Sequence, residues 1–121
     1  MVTAMGYKAL RIDPDGTRTY LDLPDELLDA VREQVGGDLE FAHYGRVLNG
    51  TLLAVAVVVY EYSLDEHPAN IHATRAVEAV RGAALSYLLH GPVVFLGWDG
   101  RENVLSLPEA VRPYLLAGSA S

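Results

Sequence analysis

Apolar and polar residues alternate loosely over residues 6–13, GYKALRID, and again over 17–22, TRTYLD, with DPDG between them. Alternation with a period of two predicts a strand on each side of a turn. Pro14 fixes φ there and Gly16 admits a positive one, so the chain is expected to open with a β-hairpin. The period then changes. Within LPDELLDAVREQVGG, Leu27, Leu28, Val31 and Val35 fall on one helical face. Pro24 suits the first helical position, Asp25 and Glu26 suit the positive end of the helix dipole, and Gly36-Gly37 provide a stop.

DLEFAHY returns to strand character, GRVLNG reads as a turn or loop, and Thr51 to Tyr62 reads as the long strand that answers it across a hairpin. The run TLLAVAVVVY is about half the length of a membrane-spanning helix and is rich in valine, so it is expected to be a buried central strand. Over NIHATRAVEAVRGAALSYLL the apolar positions Ala73, Val77, Val80 and Ala84 recur with helical spacing, with Gly82 ending or bending the helix. A buried strand from Pro92 to Trp98, a turn at Asp99-Gly100 and a short strand follow. Pro108 and Glu109 then open a last helix, as Pro24 and Asp25 open the first, and Pro113 limits its regular length. Residues 117–121 are expected to fray. These elements predict one α+β domain over residues 1–121: a mixed or antiparallel sheet of about five or six strands with two or three helices packed on it.

Composition narrows the function more than the fold. Half of the 121 residues are apolar, enough for a core without metal or disulfide support. The chain has no cysteine, which excludes disulfides, thiolate zinc sites and a cysteine nucleophile. Sixteen acidic against nine basic residues give a net charge of −7, which repels phosphate backbones and argues against direct binding of nucleic acid. No basic stretch followed by an apolar run opens the sequence, so a cytoplasmic location is expected, with no membrane association.

The stretch DEHPANIHATRA holds the densest candidate chemistry. His67 and His72 are five residues apart where a helical zinc pair needs four, and Pro68 pushes His67 off the helix surface. Convergence with Asp65 or Glu66 from a loop remains the open alternative. The reading that explains more residues makes Asn70 a helix N-cap, with the apolar stripe starting after it and the histidines mostly solvated. His43 and His90 stand alone near strand ends. Ser63 and Ser86 lack the glycines of a nucleophile elbow, and neither GGDLE nor LGWDG is a phosphate loop. The acid pairs Asp13/Asp15 and Asp65/Glu66 lie in turn-like segments where carboxylates are ordinary. Tyr60 and Tyr62 fall on one face of a strand, as core or as an aromatic contact surface. No cofactor or bound metal is implied.

The order KALRIDPDG, VGGDLE, Asn70 with Ala73 and Thr74, and then HGPVVFLG resembles a small uncharacterised domain family carried by bacteria, plasmids and phages. The likeness spans nearly the whole chain, through Gly36, Gly37, Glu40, Asn70, Ala73, Thr74, Gly91 and Gly97. Where that family places G-x-LPxN before the helix, this chain has EHPAN. That family has no established activity; the resemblance implies only a protein of a mobile element, for which a host-modulating role is the favoured expectation. Together with the acidic balance, it points to a non-enzymatic domain that binds a protein partner of basic character, such as a DNA-binding or defence protein. Asn70, Thr74 and Arg75, then His67, His72, Tyr60 and Tyr62, are the expected binding residues. The alternative is a small ligand-binding or metal-dependent enzyme domain using the loop before the second helix. A homodimer through an edge strand is also expected.

Overall fold

The computed structural model describes residues 6–116, and the expected frayed tail lies outside them. Strand β1 (Gly6–Ile12) turns at Asp13–Gly16, where Asp13 N–H bonds to Thr17 O and Gly16 N–H to Asp13 O, and returns as β2 (Arg18–Pro24). Helix α1 (Leu27–Val35) follows, then β3 (Leu39–Leu48), β4 (Thr51–Tyr60), one helical turn α2 (Ser63–Glu66) and the short strand β5 (Ala69–Asn70). Helix α3 (Ile71–Arg81) leads to β6 (Leu89–His90), β7 (Val93–Trp98) and β8 (Val104–Leu105). A 3₁₀ turn over Glu109–Val111 and helix α4 (Arg112–Leu115) complete the described chain.

The main sheet is antiparallel throughout, in the order β2-β1-β7-β4-β3, with β8 also paired to β7. A second, two-stranded sheet joins β5 to β6. The α+β class, the antiparallel sheet and its strand count are as the hydrophobic pattern predicts. Both faces of the sheet are covered. Leu10, Ile12, Val55, Val57, Val93 and Phe95 point toward α3 and α4, which contribute Ala73, Val77, Val80 and Leu115. Ala9, Ala56, Val58, Val94 and Leu96 point the other way, toward Val31 and Val35 of α1. Burial on both sides is why β4 and β7 read as continuous apolar runs instead of alternating.

Several boundaries differ from those the sequence predicts. Pro24 ends β2 and does not open α1, because Leu23 beside it is drawn into the core, and α1 begins only at Leu27. Leu28, expected on the buried stripe, is 53% exposed. GRVL is strand, not loop: β3 runs to Leu48, and Asn49 (φ 52°) and Gly50 (φ 81°) alone make a two-residue turn. Strand β4 stops at Tyr60, leaving Tyr62 in the following turn and not on the strand face. Helix α3 ends at Arg81, with Gly82 left-handed (φ 77°), and residues 83–88 are not helical.

The C-terminal end of α3 is held from the sheet. Arg46 of β3 donates from Nε to Val80 O and from Nη2 to Ala79 O, at 3.2 and 3.3 Å, placing a cation at the negative end of the helix dipole. Arg46→Ala is expected to cost about 1–2 kcal/mol in urea denaturation, from lost cap bonds and lost packing of the stem. A loss of only a few tenths would mean that the last turn of α3 stands without it.

Candidate functional site

The residues singled out by the sequence separate into three places. The first is a buried polar node at the start of α3. Asn70 is fully buried, and its side chain makes three bonds: Oδ1 accepts from Ala73 N–H at 2.9 Å, and Nδ2 donates to Ile12 O at 2.9 Å and to Gly91 O at 2.8 Å. The reversed amide would set its oxygen against two carbonyl oxygens, so the contacts fix the orientation. Thr74, also buried, donates from Oγ1 to Asn70 O and accepts from Leu89 N–H, at 2.8 and 2.9 Å. The expected N-cap is thus present and larger than a cap. It ties α3 to the end of β1, to the turn before β7 and to β6. Both Asn70 N–H groups are committed within the fold, which leaves no donor for a ligand.

The histidines do not gather around this node. The ring of His72 packs over Gly16 in the β1–β2 turn and that of His67 over Gly91, so closely that a methyl group at either glycine would meet the imidazole at 3.0 Å. His90 Nδ1 lies 3.0 Å from His67 O. Both His67 and His72 are partly buried, not mostly solvated, because each serves as the lid of a turn. Among the described residues, no three histidine, aspartate or glutamate side chains converge as a metal-ligand set.

The second place is a groove of about 410 Å³ between α3 and residues 83–88, bordered by Ile71, Thr74, Arg75, Glu78, Tyr87 and Leu88. Arg75 is exposed there, and Ile71, Tyr87 and Leu88 are each about half exposed. The third is at the end of β4. Tyr60 packs edge-on against Tyr62 (centroids 5.7 Å) and His67 (5.8 Å). Its ring covers Gly37, where a methyl group would stand 2.6 Å from the ring, and this accounts for the second glycine of the VGG motif. Asp38 and Glu61 are joined by a backbone bond beside it, and Asp65 and Glu66 follow in α2. The Tyr60 phenol is held above its ordinary pKa, first by loss of solvent, then by the Glu66 carboxylate, by Tyr62 and by Asp38. Tyr62 is 50% exposed and Leu64 70%, so this corner presents apolar and aromatic surface amid carboxylates.

The sequence singles out the tyrosines, Asp65 and Glu66, but not Asp38 or Glu61. Asp38 and Glu61 are distant along the chain, and only the pairing of Leu39 with Tyr60 brings them together. Comparison with protein-family models, with curated proteins and with solved structures finds no match to any of them. Among the described residues no helix is long and apolar enough to cross a membrane.

Proposed function

We propose that this chain is a non-enzymatic protein-binding domain that takes a basic protein on the acidic, aromatic corner formed by Tyr60, Tyr62, Asp38, Glu61 and Glu66. The same reading makes it a host-modulating protein of a mobile element acting in the cytoplasm. The observation that carries it is the uneven use of charge. Seven of the nine cationic side chains donate to carbonyls, an amide or carboxylates of this same chain. Of the sixteen carboxylates, seven, those of Asp13, Asp15, Asp22, Asp29, Glu78, Asp99 and Glu109, accept a hydrogen bond or join an ion pair among the described residues. The surface left for a partner is therefore negative. At this corner it is also furnished with tyrosine, which contributes area at low conformational cost and attracts cations to its ring face.

The test is affinity capture of the tagged chain from nuclease-treated extract of its natural host, followed by binding of the retained protein at several salt concentrations. A basic protein is expected, lost in the Tyr62→Ala, Glu66→Lys variant. Its affinity should fall at least about tenfold between roughly 0.05 and 0.5 M salt, as steering by exposed charge requires. Retention unchanged in the variant, or affinity indifferent to salt, removes the proposal. Tyr62 and Glu66 are both exposed, so the variant is expected to keep the fold.

A further inference from the structure

The sheet ends in two edge strands of different character. On one side, β2 is seven residues long, closes on Pro24 and carries Arg18 and Asp22. Those are devices that discourage another strand from joining. On the other side, β3 is ten residues long, has no proline and, among the described residues, has no strand beyond it. The two-residue turn at Asn49-Gly50 makes Leu48 and Thr51 a hydrogen-bonded pair, so the even positions of β3 spend their backbone groups on β4. The odd positions, Leu39, Phe41, His43, Gly45 and Val47, turn their N–H and C=O groups outward, where no described residue bonds to them.

Read about His43, the sequence of β3 complements itself. Antiparallel pairing with His43 opposite His43 sets Phe41 against Gly45, Ala42 against Tyr44, Leu39 against Val47 and Glu40 against Arg46. Each pair matches a large side chain with a small one, apolar with apolar, or anion with cation. The aromatic over a glycine is a known means of rescuing a glycine within a sheet. Gly45 cannot be larger, since a methyl group there would stand 2.8 Å from Leu53 O and 2.9 Å from the Ala54 side chain, so this position stays without a side chain of its own. The backbone agrees with this register. All odd positions would form the hydrogen-bonded pairs, and Glu40 with Arg46 would form a non-hydrogen-bonded pair, where side chains approach more closely. Glu40 and Arg46 also share the α3 face of the sheet, the face on which Arg46 reaches Val80 O. Val47, 67% exposed in the single chain, gains an apolar neighbour.

We propose that the chain forms a two-fold homodimer in which β3 pairs antiparallel with β3 of a second copy, His43 opposite His43, to make one continuous sheet. The occupant of this edge is a second copy of the chain because the pattern that matches it is the strand's own.

The absence of cysteine makes the register directly testable. In this dimer only position 43 lies on the axis. Its two Cα atoms would stand about 5.5 Å apart, within reach of a disulfide, whereas the two copies of position 40 would be roughly 20 Å apart. Under mild oxidation of the purified full-length chain, His43→Cys is expected to cross-link at least about tenfold more than Glu40→Cys. In sedimentation equilibrium, Glu40→Arg sets two guanidinium groups against each other and should weaken the dimer at least about tenfold, with an unchanged circular dichroism spectrum. A wild-type chain that stays monomeric at about 100 μM, a dimer untouched by Glu40→Arg, or equal cross-linking at positions 40 and 43 would each overturn the proposal. Because only the purified chain is used, the result is independent of whether a basic partner is found.

Discussion

Asn70→Ala is expected to destabilise the protein by about 3–5 kcal/mol. Alanine leaves three polar groups behind. Ile12 O and Gly91 O each lose a buried donor, at about 1–3 kcal/mol for an unsatisfied group, and Ala73 N–H loses its cap, at about 1 kcal/mol. The three bonds share one side chain, so their losses do not add fully. In a domain of this size the fall in Tm is on the order of 10–20 °C. Urea unfolding of wild type, Asn70→Ala and Asn70→Asp measures it. Asn70→Asp keeps the oxygen that caps α3 but turns a second oxygen toward two carbonyls, so it should be worse than alanine. If Asn70→Ala cost less than about 1 kcal/mol, the node would be a passive cap, and α3 would not depend on it for attachment to the sheet.

The second large effect concerns two neighbours in β7. Phe95→Ala is expected to cost about 3–5 kcal/mol and Leu96→Ala about 2–5 kcal/mol, both by denaturant unfolding with similar m-values. Both side chains are fully buried, yet they point in opposite directions: Phe95 into the core under α3 and α4, Leu96 into the core under α1. In a sheet with one wet face, one of the two substitutions would be nearly silent. Equal severity at adjacent positions is therefore a direct test of coverage on both sides. A cost below about 1 kcal/mol for Leu96→Ala would mean that α1, only nine residues long, is not seated on the sheet as described.

Local signals carried much of this architecture. The DPDG turn, the Asn49-Gly50 turn, the valine-rich β4, the α3 stripe and the Asn70 cap each rest on residues a few positions apart, and their chemistry acts over that range. The misplaced boundaries have non-local causes. Whether Pro24 opens a helix or closes a strand depends on the pairing of Gly6 with Pro24, and whether GRVL is loop or strand depends on β4 accepting it. The site was less legible than the fold. Asn70 stood out because it is polar where an apolar stripe begins, and that signal was sound. What it bonds to, Ile12 and Gly91, lies 58 and 21 residues away. The histidines attracted notice as a pair, but each answers to its own turn. Of the glycines in the chain's short motifs, Gly37 lies beneath Tyr60, Gly91 beneath His67, and Gly97 so close to Ser106 O that a methyl group would stand 2.4 Å from it. Such positions record where the chain touches itself.

The place of β7 has a consequence for how the protein comes into being. It is the middle strand of the sheet, holding β1 on one side and β4 on the other, yet it is almost the last strand to be synthesised. Until it emerges, the β1–β2 and β3–β4 hairpins are separate two-stranded ribbons, each of marginal stability, with the apolar inner edges of β1 and β4 unfilled. At ordinary rates of synthesis, the stretch from the end of β4 to the end of β7 takes roughly 2–8 seconds to translate. For that interval the nascent chain offers the valines of β4 to any strand or chaperone within reach. The arrival of β7 is what can join the two ribbons into one sheet.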